Sequence, residues 1–259
     1  MPVTLAHPAA VLPLRGLGLP LSAMVIGSMT PDLPVLGQTW SLYGFTHSPA
    51  GIVTVDLVLT LALLAFWDRW GRDALVDTAP AAVRDRLPAR ARIGRTAWLL
   101  APLAAIVGSA THVVWDAFTH QGRWGVRHVA WLQETHGPLP GQQWAQFASG
   151  ILGLLVTGLA IVVHVRRSPR DTPRPRRLPA AALPAGFGAA TAVSLATGAL
   201  HLGDGLHRAA FHAAVAGILA LAALVVLLAA AWRLAPRASE TPGAPETPEA
   251  EEVSGPPAP

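Results

Sequence analysis

The chain has 259 residues, of which 52% are hydrophobic and only 13% charged, with a formal net charge of +4. The charged share is about half that of ordinary soluble domains, and a mean hydropathy of +0.42 leaves too little polar surface for a water-soluble domain, so lipid must cover the apolar side chains. Cysteine is absent, which excludes disulfides, thiolate metal sites and cysteine nucleophiles and leaves His, Asp and Glu as metal donors. The pI near 11.1 does not mark a nucleic-acid partner. Lysine is absent and the arginines fall between apolar runs, a pattern of membrane topology and not of a basic face.

In chain order, Met1 to His7 carry no basic residue, and no small-residue cleavage site follows the apolar stretch, so no cleavable signal peptide is expected. Residues 9–29 are apolar but interrupted by Pro13, Arg15, Gly16, Gly18 and Pro20. That pattern predicts two short helices, re-entrant or buried in the bundle, in preference to a full span, because irregular backbone at membrane depth needs protein or water around it. Five runs follow at 51–67, 96–118, 147–165, 178–202 and 209–232, each near the roughly 20 residues that cross a hydrocarbon core. The expected fold is therefore an all-α polytopic transmembrane bundle of about five spans plus an N-terminal helical hairpin. It occupies residues 1–237, with a Pro/Glu-rich, disordered tail over 238–259.

Fifteen of the nineteen arginines lie in three segments: after the first run, after the third and after the last. The positive-inside rule makes those segments cytoplasmic, which places the C-terminus in the cytoplasm of a multi-pass plasma-membrane protein. On that topology nine of the ten histidines fall at the opposite, non-cytoplasmic side, and only His164 does not.

The sharpest local pattern is His112-x-x-x-Asp116-x-x-x-His120. On a helix, steps of four advance about 40° around the axis, so the three form one stripe spanning roughly 12 Å. One ion with bonds of about 2.0–2.2 Å reaches two of them; reaching all three requires a frayed helix end, for which Gly122 gives the opportunity. Intramembrane Asp and His face a bundle interior or a wet cavity, so the stripe reads either as metal ligation and catalysis or as interhelical hydrogen bonding. Gly27-Ser28-Met29-Thr30-Pro31-Asp32 sets a carboxylate on a rigid turn. Phe45-Thr46-His47-Ser48 opens the first clear span, as a ligand-bearing segment or an interfacial cap. Asp56, about 9 Å into that span, is an interior polar contact or a partner of a metal-bound His. His201 to His207, a Gly-rich turn, and the Glu134/His136 loop are weaker candidates.

Taken in order, His7-Pro8, Gly27-Ser28-x-x-Pro31-Asp32, Thr46-His47-Ser48 and His112-x-x-x-Asp116-x-x-x-His120 before Gly122 resemble the bacterial membrane-bound metal-dependent hydrolase family. The likeness is strongest to a related branch of multi-pass proteins described only as a domain of unknown function. The His/Asp order is also similar, more loosely, to zinc-dependent phospholipase C-like proteins. The resemblance covers about residues 1–125. It implies that His7, Asp32, His47, His112 and Asp116 are metal ligands or near ligands, and that His120 is a ligand or proton shuttle. Where the hydrolase family commonly has a second acidic residue after Pro-Asp, this chain has Pro34, which removes one donor of a two-metal site.

The expected function is accordingly that of a membrane protein holding a divalent metal, Zn or Mn, on His and carboxylate donors. Asp116 and His120 would carry proton chemistry, and the substrate would be a lipid or phosphoester reached at the outer face. The competing expectation is a transporter or scaffold whose stripe is structural or moves protons. Against conduction, the third and fifth spans are nearly pure Leu, Val, Ala and Gly.

Overall fold

The computed structural model describes residues 4–88, 90–170 and 175–236, so the tail over 238–259 lies outside the described residues. Among the described residues, five helices are long and apolar enough to cross a membrane. With the short helix Leu21–Gly27 (α1) and Trp40–Thr46 (α2) ahead of them, they are Pro49–Thr78 (α3), Arg95–Thr119 (α4), Gly141–Arg167 (α5), Ala182–Leu200 (α6) and Leu206–Leu234 (α7). Their most apolar stretches are only 6–33% buried within the protein, so most of that surface is offered to lipid. Leu99, Leu155, Leu195 and Leu227, all exposed, point the same way. The chain is a multi-pass membrane protein built almost entirely of helix; the one β element among the described residues is a two-residue pairing of Thr135–His136 with Leu139–Pro140.

α3 differs most from the sequence expectation. It does not end at Trp67 but continues to Thr78. At 1.5 Å per residue its 30 residues make a rod of about 45 Å, well beyond a core of about 30 Å. Charged residues end an apolar run without ending a helix. In this overhang Asp68 accepts the backbone N–H of Ile93 (2.7 Å), and Asp73 pairs with Arg72 (3.3 Å) and Arg92 (2.8 Å). At its other end Ser48 caps the helix, its Oγ accepting the Gly51 N–H at 3.1 Å with Pro49 in the first position.

The N-terminal stretch forms the expected helical hairpin, buried along its inner face and exposed at its tip over 15–18. Short turns over Pro8–Val11 and Leu12–Leu17 lead away from His7, Gly18 reverses the chain with φ +73°, and α1 returns it to Ser28. Val11, Ala23 and Met24 are fully buried with Leu64, Ala101 and Ala104 of α3 and α4. α1 lies unusually close to α4: a Cβ on Gly108 would stand 2.3 Å from the Met24 carbonyl oxygen, and one on Gly27 would stand 2.6 Å from that of Ala105. Glycine at both positions is what lets the two backbones meet. α6 and α7 pack mainly along each other, with Ser194 Oγ bonding the Ala213 carbonyl at 2.8 Å.

Candidate metal centre

Where α3 begins and α4 ends, the arginine-poor end of the bundle, four side chains from three chain segments converge. Asp32, His47, His112 and Asp116 each offer one ligand atom, and these atoms lie within 4.8 Å of one another. His112 Nε2 is 3.4 Å from Asp32 Oδ1 and 3.5 Å from Asp116 Oδ2. His47 Nε2 is 3.3 Å from Asp116 Oδ2 and 3.8 Å from Asp32 Oδ1. A tetrahedral ion with bonds of about 2.0–2.1 Å holds its ligands about 3.3 Å apart, so the spacing fits a single ion with little movement. All four residues are buried, at 0–6% exposure.

The same four atoms are among the buried polar atoms left without a hydrogen bond, as is His7 Nδ1 beside them. Asp32 Oδ1, His47 Nε2, His112 Nε2 and Asp116 Oδ2 are buried and make no hydrogen bond. The tautomers explain this. A backbone carbonyl only accepts, so His47 Nδ1, 2.9 Å from the Tyr43 carbonyl, and His112 Nδ1, 2.8 Å from the Ser28 carbonyl, must carry the hydrogens. A neutral ring so held aims its Nε2 lone pair among the carboxylate oxygens, which is the form a metal ligand needs. Buried polar atoms without partners cost about 1–3 kcal/mol each, and a cation among the four relieves that cost at every one of them. The donor set therefore fits a metal ion.

The remaining polar atom of each group is held in place, which orients the ligand. Thr4 Oγ1 donates to Asp32 Oδ2 at 2.6 Å. Asp116 Oδ1 accepts from His7 Nε2 at 3.2 Å and lies 3.2 Å from His120 Nδ1. The His7 ring also stacks on His112, with centroids 3.8 Å apart. The Pro31-Asp32 turn is tied to the second motif by Thr46, whose Oγ1 donates to the Pro31 carbonyl at 2.8 Å.

The structure thus brings all six residues singled out from the sequence into one cluster, in two tiers. His7 and His120 sit on the outer oxygen of Asp116 and not among the four facing atoms. α4 ends at Thr119, and His120 turns away with extended backbone. Its Nδ1 lies 3.1 Å from Thr119 Oγ1, and its Nε2 accepts from the Gln146 amide at 2.8 Å. Half-buried, it is the cluster's contact with solvent. Asp56 is not the partner of a ligating His: it is fully buried, both of its oxygens lack hydrogen bonds, and the Ser28 carbonyl occupies His112 Nδ1. His201 bonds Asp204 at 2.9 Å and stacks on His212, while His136 bonds the Trp131 carbonyl, so both groups are engaged outside the cluster.

Sequence reasoning missed Thr4, Tyr43 and Gln146. Tyr43 packs its ring 4.1 Å from that of His47 and carries Arg123 above it at 5.7 Å. Burial, with the negative charges of Asp116 and Asp32, pushes its phenol up to about 12. It stays a neutral donor at the rim.

Five apolar crossing helices and a buried carboxylate–histidine cluster able to hold a metal ion define a multi-pass membrane protein with a candidate metal centre. Residues 1–232 match the family described as a domain of unknown function (DUF4184), and the chain belongs to that family. No curated protein and no solved structure matches the chain.

Proposed function

We propose that the chain is a metal-dependent membrane hydrolase acting on a lipid phosphoester at its arginine-poor end. The observation that carries the reading is the set of four buried, unpartnered ligand atoms on Asp32, His47, His112 and Asp116. Two imidazoles and two carboxylates suit Zn or Mn. By the positive-inside rule the centre faces the non-cytoplasmic side and the C-terminus is cytoplasmic.

Bound there, a divalent ion would supply an activated water and polarise a phosphoryl oxygen. The chain's own groups do the rest. Arg123 brings a guanidinium to the rim beside Tyr43, suited to a phosphate, and the Tyr43 phenol remains protonated to donate to it. His120, half-exposed and fixed by Gln146, is placed to pass a proton between the Asp116 side of the cluster and the leaving oxygen. His7, Thr4 and Ser28 orient ligands and touch no substrate.

One observation favours a second reading. Four protein donors with almost no exposure resemble a closed structural site, in which an ion would fasten the hairpin to the start of α3 and the end of α4. Turnover of phosphatidic acid by the detergent-purified chain separates the two. The hydrolase reading expects phosphate release that a chelator abolishes and that His120→Gln lowers about 100-fold or more at unchanged metal content. Full metal occupancy with no release from any lipid phosphoester would leave the structural ion.

A further inference from the structure

The opposite end of the molecule carries a second built feature, independent of whether the metal centre is catalytic. A cavity of about 610 Å³ opens there, and five arginines line it: Arg69, Arg90, Arg92, Arg177 and Arg233. They come from the α3 overhang, the loop before α4, the segment before α6 and the last turn of α7. Arg92 is neutralised by Asp73 at 2.8 Å. The one lining carboxylate, Asp68, is engaged by the Ile93 backbone N–H. Among the described residues Arg69, Arg90 and Arg233 have no hydrogen bond or ion pair, and Arg177, whose Nη2 donates to the Ala235 carbonyl at 2.6 Å, keeps a buried Nε–H without a partner.

Arginines that only set topology have no reason to converge on one cavity, where their charges repel. Here they are also pre-positioned. Arg177 lies over the Trp232 ring at 4.4 Å and Arg233 over Trp70 at 5.2 Å. A guanidinium held flat on an aromatic face loses little further freedom when its N–H edge binds an anion, and that planar edge matches phosphate. Both tryptophans line the cavity where α3 and α7 leave the apolar region, the level at which indole rings and lipid headgroups meet. Basic pockets between transmembrane helices at this depth suit phosphate-bearing headgroups.

We infer that this cavity binds the phosphate of an anionic phospholipid headgroup. A soluble phosphate compound shares the chemistry, so the test has an arm for each source. The full-length chain in neutral detergent, with a chelator present so that the metal centre neither binds nor cleaves the lipid, is titrated with short-chain phosphatidic acid, with phosphatidylcholine of the same chain length and with inorganic pyrophosphate. Dissociation constants come from the concentration dependence of the unfolding midpoint. The expected result is stabilisation by phosphatidic acid and not by phosphatidylcholine, about tenfold weaker in Arg90→Gln and lost in Arg177→Gln/Arg233→Gln. Arg127→Gln, at the other end, binds as wild type. Arg90 lies in an exposed loop segment, so its variant tests the site without threatening the fold. Equal shifts with both lipids, or wild-type affinity in all the variants, would overturn the site. Pyrophosphate binding as tightly as phosphatidic acid would overturn the lipid source and assign a soluble ligand.

Discussion

Gly108→Ala links packing to the metal centre through one added methyl group. The new Cβ would lie 2.3 Å from the Met24 carbonyl oxygen and 2.9 Å from the Ser28 nitrogen, where ordinary contact begins at 3.4 Å. Both neighbours are backbone, so α1 must retreat from α4 by about 1 Å, at a cost of about 1–3 kcal/mol. Retreat carries the Ser28 carbonyl with it, and the 2.8 Å bond to His112 Nδ1 lengthens past useful hydrogen-bond range. Loss of that orienting contact should weaken metal affinity about 10- to 100-fold. The control is Gly158→Ala on α5, whose Cβ meets nothing within 4 Å; it should leave affinity unchanged and stability equal or higher by up to about 1 kcal/mol. Metal titration and unfolding midpoints in detergent read both quantities. A Gly108→Ala protein with wild-type affinity and midpoint would refute the coupling between the α1–α4 approach and the His112 tautomer.

Tyr43 is the only tyrosine in the chain, so phenolate absorbance reports it alone; in the metal-free protein the midpoint should fall near 12 and not at the usual 10 or so, and a bound cation, by offsetting the charge of Asp116 and Asp32, should lower it. Because its folded value is raised, the stability it contributes is fully present below pH 10 or so and is lost as pH rises through about 12, by up to about 2 kcal/mol relative to Tyr43→Phe. A midpoint at the unperturbed value would show that the phenol is solvated. Asp56→Asn should retain metal with near-wild-type affinity, since Ser28 and not Asp56 bonds His112; a 10-fold or greater loss on titration would restore Asp56 to the centre. Thr4→Val, which deletes the 2.6 Å bond to Asp32, should weaken metal binding by about 10-fold or more at unchanged helix content by circular dichroism.

The spans were legible because lipid imposes a length and a composition that no other environment demands. Their limits were less so: the run after Trp67 turns polar, yet Asp68 and Asp73 find partners in the loop before α4 and let α3 continue to Thr78. The ligand residues were legible as short motifs, and the i, i+4 spacing put His112 and Asp116 on one face. What the motifs lacked was the division of labour. His7 and His120 differ from His47 and His112 only in what the other atoms around them do, and two of the deciding groups, the Ser28 and Tyr43 carbonyls, are backbone. A backbone acceptor leaves no trace in side-chain identity. The arginine cavity was hidden for a different reason: its residues come from four separated segments that read, one at a time, as topology signals.

Metal content by mass spectrometry, measured on the detergent-purified wild type beside His112→Ala/Asp116→Ala, tests the central claim most directly. Near-stoichiometric divalent metal in the wild type, lost in the double variant at equal helix content, is the predicted result. No metal in either protein, with both folded, would contradict it and make the cluster a hydrogen-bonded joint between the hairpin and the bundle.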